Sequence, residues 1–249
     1  MRLARLSGGL ALVLVFLLVL VAQAPARLLG RVLPPEQVLM AGFQGTLWRG
    51  SASRCVLRLP PGDLALGRVS WSLEPLSLLF LAPRVTLDSH WGQQRFSGQL
   101  RLRGERDLDL REVELQASAE LVQRFAPLAV DGGVSMQLQH LSLRDGLPYS
   151  AEGRLVWQDG GFASPRGRVP LGTYALEFTQ QPGEPLLGEI VTVAGSLQAQ
   201  GSAQLHGRRY KIDLALHGEE PLDAMLRNAL DLMAAPENGG YRIRLDSEF

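Results

Sequence analysis

Cysteine and aromatic residues are both scarce in this 249-residue chain. The one cysteine, Cys55, cannot form an internal disulfide, and its distance from the N-terminal apolar run excludes a lipoprotein attachment site. We expect it to be a small buried residue on a strand. Aromatic residues make up 6% of the chain, whereas there are 27 glycines and 15 prolines. This composition favours many short strands and turns over a helical protein.

An excess of charge of either sign is also absent. The chain has 25 basic and 25 acidic residues, and every basic residue except Lys211 is an arginine. Residues 1–26 contain Arg2, Arg5 and no acid, so the remainder has 23 basic and 25 acidic residues and a net charge of −2. Because nucleic-acid surfaces are basic, we expect no nucleic acid among the partners.

Signatures of catalysis and of metal binding are missing as well. There is no Gly-x-Ser-x-Gly elbow, P-loop or His-Glu-x-x-His motif. No metal-ligand spacing connects the four histidines, which are His90, His140, His206 and His217. The acid pairs Asp107/Asp109 and Glu112/Glu114 fall on the outward faces of strands, and neither stands out as a pair for acid–base catalysis. We predict that the protein is not an enzyme, with no catalytic, cofactor-binding or metal-ligating residue and no cofactor.

What the sequence does contain is a long apolar run near its start. The basic residues Arg2 and Arg5 come first, and residues 6–26 are uncharged. As a helix this run would be about 31 Å long, close to the hydrocarbon thickness of a bilayer. Two interpretations remain open. It could be an uncleaved membrane anchor with its basic start in the cytoplasm, or a cleavable secretory signal with an Ala-x-Ala site within residues 22–26. In both interpretations the rest of the chain is exported.

Beyond the apolar run, polar and apolar residues alternate with a period of two almost to the end. This pattern predicts antiparallel strands with one buried face. The alternation slips by one residue at two places, between Leu110 and Val113 and between Leu138 and Leu141. A turn could cause such a slip, but neither place contains glycine or proline. We therefore favour β-bulges, and hence a curved sheet.

Helices are few in this interpretation. Residues 221–234 carry a single apolar stripe of helical spacing, so we expect a helix packed on the sheet. Residues 118–125 are a weaker candidate. The small-residue run 195–207 fits either one strand closely approached on its inner face or two short strands separated by a turn at Gly201. The fold class is mainly β: an N-terminal transmembrane helix, then one curved, bulged antiparallel sheet domain with one or two packed helices.

Two tryptophan-containing motifs stand out after the apolar run. The first is Gly-Thr-Leu-Trp-x-Gly-x-Ala and the second is Val-x-Trp-x-Leu-x-Pro-x-x-Leu. Further on come Gly-Arg-Leu-Val-Trp at 153–157 and Leu-Gly-Thr-Tyr at 171–174. In this order and spacing, the motifs resemble the protein N family of the type II secretion system. The family-motif residues, which we expect to be structural, are Gly45, Thr46, Leu47, Trp48, Gly50, Trp71 and Pro75.

The resemblance implies a single-pass protein of the bacterial inner membrane. Its parts would be a cytoplasmic start (1–5), a transmembrane helix (6–26), a linker (27–40) and a periplasmic β-rich domain (41–249). Its role would be that of an accessory, non-catalytic scaffold for export of folded proteins across the outer membrane. Its partners would be other type II secretion subunits and the membrane. Because the family is distantly similar to the AsmA-like group, the alternative is periplasmic lipid handling or envelope maintenance, with lipid as a ligand.

Overall fold

The computed structural model is dominated by antiparallel β-strands. It describes residues 16, 19–59, 62–80, 82–104, 106–124, 130–164, 167–218, 227–228, 230–231, 234–237 and 239–248. Within each of the two compact units given below, the strands pair through antiparallel ladders. This confirms the mainly β, antiparallel fold class. The chain divides into two compact units, Met1–Trp91 and Gly92–Phe249.

The described residues of the first unit form four strands in the order β1-β2-β3-β4. Ahead of them lie a 3₁₀ helix, η1 (Ala26–Leu28), and a single turn of α-helix, α1 (Leu29–Val32). The strands are β1 (Val38–Gly45), β2 (Arg49–Leu59), β3 (Gly62–Leu73) and β4 (Arg84–Trp91), and the 3₁₀ helix η2 (Pro75–Phe80) connects β3 to β4. Cys55 is buried on β2, as predicted, and burial raises the pKa of its thiol.

In the second unit, the part of the chain that the structure describes forms ten strands in the order β5 to β12, then β14 and β13. Their bounds are β5 Gln94–Leu102, β6 Leu108–Ser118, β7 Val130–Arg144, β8 Leu147–Ser164, β9 Gly167–Gln180, β10 Leu186–Ala194, β11 Leu197–His206, β12 Arg209–Gly218, β13 Ala235–Glu237 and β14 Gly240–Glu248. A 3₁₀ helix, η3 (Ala119–Arg124), follows β6 and replaces the helix expected at 118–125. The small-residue run is one continuous strand, β11, rather than two strands split at Gly201.

Both predicted bulges are present, and they lie side by side. The β5–β6 register shifts where Ser97 pairs with Glu114 but Gln99 pairs with Arg111, which leaves an extra residue at Glu112. The β7–β8 register shifts between Leu138 and His140, at Gln139. Between β6 and β7 the register does not change, because Arg111 pairs with His140 and Val113 with Leu138. Glu112, the extra residue of the β5–β6 bulge, has a left-handed φ of 50°, and a bulge bends and twists its strand locally.

The expected C-terminal helix lies mostly outside the described residues. Of 221–234, residues 227, 228, 230 and 231 are helical. Leu230 is buried in a core cluster of the second unit with Leu171, Tyr174, Leu197, Ala199 and Leu216. This contact matches the packing that was predicted for the apolar stripe.

The predicted transmembrane helix also lies largely outside the described residues. Of the run 6–26, residues 16 and 19–22 are helical. Within the part of the chain that the structure describes, no helix is long and apolar enough to cross a membrane. The transmembrane span therefore stays a prediction, as does the curvature of the sheet. Strand β1 begins at Val38, inside the stretch 27–40 that was expected to be a linker.

One acidic residue differs from expectation. Asp109 lies on the polar side of β6 but is only 5% exposed. Arg103 Nε donates to its Oδ2, and Arg144 Nη1 donates to its Oδ1 at 3.1 Å. Burial alone would raise the pKa of Asp109, but hydrogen bonds from Ser142, Arg103 and Arg144 outweigh it and lower the pKa. Asp109 is therefore a structural carboxylate rather than a solvated one.

We expect Asp109→Asn to lower the free energy of unfolding by about 2 kcal/mol at neutral pH, because charged hydrogen bonds are lost in a buried position. The lowered pKa means that the ionised form stabilises the fold above the pKa of unfolded aspartate, about 4, and that this stabilisation disappears as the pH falls through the folded pKa. Urea unfolding at pH 7 and at about pH 3 tests this. The gap between wild type and variant should shrink in acid, and a gap independent of pH would contradict the assignment.

A matched control is Asp246→Asn. The Asp246 carboxylate is exposed and lies 3.7 Å from Lys211 Nζ. Because exposed ion pairs contribute little, this variant should unfold like the wild type at both pH values.

Candidate functional site

The turn between β1 and β2 is built by the first tryptophan motif. Thr46 N donates to Arg49 O at 2.8 Å, and Arg49 N donates to Thr46 Oγ1 at 3.1 Å, so the threonine closes the turn with both its backbone and its side chain. Gly45 has a φ of +82°, and a Cβ atom there would lie 2.5 Å from Arg49 O. Glycine is therefore required at this point.

This turn holds the chain segment that follows the apolar run. Leu47 N donates to Ala24 O at 2.7 Å, and Trp48 Nε1 donates to Val21 O at 2.8 Å. Pro25 forms an isolated bridge with Thr46. Carbonyls at the C-terminal end of a helix lack the usual i+4 partner. Here Ala24 O accepts from Leu47 N, and Val21 O accepts from Trp48 Nε1 in addition to Ala24 N, which lies 3.1 Å away. We call residues 45–49, with their bonds to 21–25, the exit clasp.

Trp71, the tryptophan of the second motif, packs next to the exit clasp and donates a hydrogen bond to it. Trp71 on β3 is 6% exposed, and its Nε1 donates to Leu47 O at 3.0 Å. It packs in one cluster with Ala26 and Ala52, and Phe43 meets its ring edge-on at a centroid distance of 6.3 Å. A Cβ atom on Gly50 would lie 2.6 Å from its Cζ2, so glycine makes room for the indole. The two motifs thus form one local structure.

The structure brings together six of the seven family-motif residues in the exit clasp and the strands beneath it. Trp71 is a core residue. Trp48 is only half-buried and acts through its hydrogen bond to Val21. Pro75 is exposed at the start of η2. The partners Val21, Ala24 and Ala26 were not anticipated, because they bond through backbone atoms or pack as small apolar residues and carry no signal in the sequence.

The role of Trp48 can be tested with Trp48→Phe, which keeps an aromatic ring but removes the donor to Val21 O. Losing one such hydrogen bond costs about 1 kcal/mol, so we expect backbone amides near residues 23–28 to exchange with deuterium roughly fivefold faster. Mass spectrometry of peptides from the full chain measures this. Trp91→Phe, the same change at a tryptophan that is 55% exposed, is the control. Equal exchange in both variants would contradict a stabilising contribution from this bond.

A second motif pair meets in the other unit. Trp157 on β8 pairs in register with Tyr174 on β9, and their ring centroids are 5.6 Å apart. Trp157 Nε1 donates to Asp131 O at 2.9 Å, and Tyr174 OH donates to Leu197 O at 2.8 Å. Burial raises the pKa of Tyr174 to about 12, so the hydroxyl keeps its proton. The motifs of this unit therefore organise its core.

Neither arrangement offers catalytic geometry. Among the described residues, no group of three or more His, Cys, Asp or Glu side chains could hold a metal ion. A groove of about 620 Å³ runs along the polar side of β7–β10, with Glu152, Arg154, Glu177 and Glu189 among its lining residues. Arg154 Nε lies 3.6 Å from Glu177 Oε1, as in an ordinary ion pair on the surface of a sheet.

These features define a class: antiparallel β-sheet proteins whose first hairpin is bonded to the end of an N-terminal apolar segment. Comparison with known families narrows the class further. The family model described as "Type II secretion system (T2SS), protein N" matches residues 36–244. The chain belongs to this family, which confirms the resemblance carried by its motifs.

Individual relatives agree with the family match. The type II secretion system protein N of Aeromonas hydrophila is 27% identical over 236 residues, which cover 89% of each chain. The protein of the same name from Vibrio cholerae serotype O1 is 27% identical over 248 residues, or 93% of each chain. The one from Pectobacterium carotovorum is 26% identical over 239 residues, or 94% of this chain and 93% of the relative. No solved structure matches the chain.

Proposed function

We propose that this protein is a non-catalytic accessory subunit of the type II secretion machinery. In this role residues 6–26 anchor it in the bacterial inner membrane, residues 1–5 lie in the cytoplasm, and residues 41–249 form the periplasmic part. Other type II secretion subunits are its partners. Family membership supports the machinery, and the 21 uncharged residues after Arg5 support the anchor.

The observation that carries the anchor is the exit clasp. A signal peptide that is cut off makes no lasting contact with the mature protein. Here Trp48 and Leu47, two residues of the family motif, bond to carbonyls of Val21 and Ala24. Cleavage after residue 24 or 26, the two Ala-x-Ala sites, would remove the bonded carbonyls of Val21 and Ala24. The exit clasp therefore favours retention of the apolar segment over its cleavage. It also bonds the end of that segment directly to the first hairpin of the sheet.

Gene deletion and complementation test the proposal. A deletion strain should retain folded exoproteins in the periplasm, and the wild-type gene should restore them to the medium. Mass spectrometry of the complementing protein should find an intact N-terminus. Normal export from the deletion strain would contradict the secretion role, and a mature protein that starts near Pro25 would contradict the anchor.

The AsmA-like alternative has one observation in its favour. Leu155, Leu176 and Ile190 are register neighbours across β8, β9 and β10, and each is only half-buried. A partly covered apolar row of this kind could hold acyl chains. The same deletion strain separates the two functions, because loss of lipid handling would make the envelope permeable while export continued.

A further inference from the structure

In the 3₁₀ helix η2, Leu76 and Leu78 are exposed while the polar residue between them, Ser77, is buried. Ser77 is buried; its Oγ donates to Glu74 O at 2.6 Å and accepts from Arg84 N at 2.9 Å. These bonds fix which side of the helix faces the sheet. Leu76 is consequently 72% exposed, and Leu78 is exposed as well. A surface helix of a soluble protein normally has the opposite arrangement.

The helix η2 lies at the same end of the first unit as the exit clasp. Leu73, the last residue of β3, donates its N–H to Trp48 O at 2.7 Å, and Trp48 in turn donates to Val21 O at 2.8 Å. Leu76 follows Leu73 by three residues, which span at most about 10 Å of chain. Val21, at the end of the apolar segment, is itself exposed. Leu76 therefore lies close to the point where the apolar segment ends.

The charges around this end are mostly positive. Residues 19–50 contain three exposed arginines, Arg27, Arg31 and Arg49, against one glutamate, Glu36. Glu74, the residue just before η2, forms an ion pair with Arg84, with 3.9 Å between Glu74 Oε2 and Arg84 Nη1. Apolar side chains beside exposed arginines are typical of a surface that rests on anionic lipid headgroups.

We propose that η2 is a second membrane contact. It places Leu76 and Leu78 in the interfacial layer of the bilayer that holds the apolar segment, while the three arginines face anionic headgroups. The inference rests on the proposed anchor. With the membrane helix as the only contact, the first unit could rotate about the axis of that helix. A second contact next to the helix fixes which side of the first unit faces the membrane.

Lipid-quenching of a fluorescent label tests this contact. The buried Cys55 is replaced by alanine in the full chain, and single cysteines are introduced as Leu76→Cys, Leu20→Cys and Leu187→Cys, all at exposed leucines. Each variant is labelled with an environment-sensitive dye and reconstituted into phosphatidylcholine–phosphatidylglycerol liposomes that carry brominated acyl chains. We expect the labels at 20 and 76 to shift to shorter wavelength and to lose emission to the bromine, and the label at 187, in the second unit, to do neither.

The label at 20 reports the anchor independently of η2. Quenching at 20 without quenching at 76 would overturn the second contact and leave the anchor standing. Quenching at neither position would overturn both. A wavelength shift at 76 without quenching would mean that a protein surface covers η2, and equal quenching at 187 would mean that the contact is not specific to η2. Either result would also overturn the proposal.

Discussion

Replacing Trp71 by alanine should destabilise the first unit by about 3–5 kcal/mol, the usual cost of removing a large aromatic side chain from a core. Trp71 fills the space between Gly50, Ala26 and Ala52 and also donates to Leu47 O. The variant therefore loses core packing and the support of the exit clasp together. We expect its guanidinium unfolding, followed by far-ultraviolet circular dichroism of the full chain, to acquire an early transition.

The control for this prediction is Trp91→Ala. The same side chain is removed, but from a position that is 55% exposed, so the loss of buried surface is smaller. Limited proteolysis should cut Trp71→Ala rapidly between residues 21 and 50 and leave Trp91→Ala close to the wild type. Similar unfolding curves for the two variants would show that Trp71 is not the centre of the first unit.

The second large effect is expected for Gly195→Ala. Gly195 follows β10 with a φ of +136°, and a Cβ atom there would lie 2.4 Å from Gly172 Cα and 2.5 Å from Leu171 O. Both obstacles are backbone atoms, which cannot move aside as a side chain can. Leu171 belongs to the core cluster of the second unit. We expect a loss of about 3 kcal/mol or more in the free energy of unfolding, measured by urea denaturation.

Gly183→Ala separates the two causes of that loss. Gly183 also has a positive φ, +84°, but a Cβ atom there would meet nothing within 4 Å. It should therefore show only the cost of the left-handed backbone, about 1 kcal/mol. If both variants lose the same amount, the close approach of Gly195 to Gly172 has no energetic importance.

The features that could be predicted from the sequence are those encoded locally. Strand alternation has a period of two, so a bulge appears directly as a change of parity, and the slips before Val113 and before Leu141 marked both bulges. Cys55 was predicted to be buried because a free cysteine behaves as a small apolar residue. Gly201 shows where this approach ends. A turn at Gly201 was equally consistent with the sequence. The reason for glycine lies in the neighbouring strand, because a Cβ atom on residue 201 would lie too close to the Asp213 carbonyl of β12.

The features that could not be predicted depend on residues distant in the chain. The donor Trp48 and the acceptor Val21 are 27 residues apart, and nothing in an apolar run marks one carbonyl as a partner. Asp109 fits the polar side of its strand, but its burial depends on Arg144, 35 residues away. The tryptophan motif could therefore be noticed, while the contact that gives it a function could not.

The paired bulges at Glu112 and Gln139 also bear on how this protein can change in length. Because β6 and β7 each contain one additional residue at neighbouring positions, their mutual register is unbroken. Deleting Glu112 alone would straighten β6 against β5 but would move the mismatch into the β6–β7 ladder. Deleting Gln139 alone would do the same from the other side. Insertions and deletions in these two strands are thus coupled. A change of length at one bulge keeps the β6–β7 register only when a matching change occurs at the other bulge.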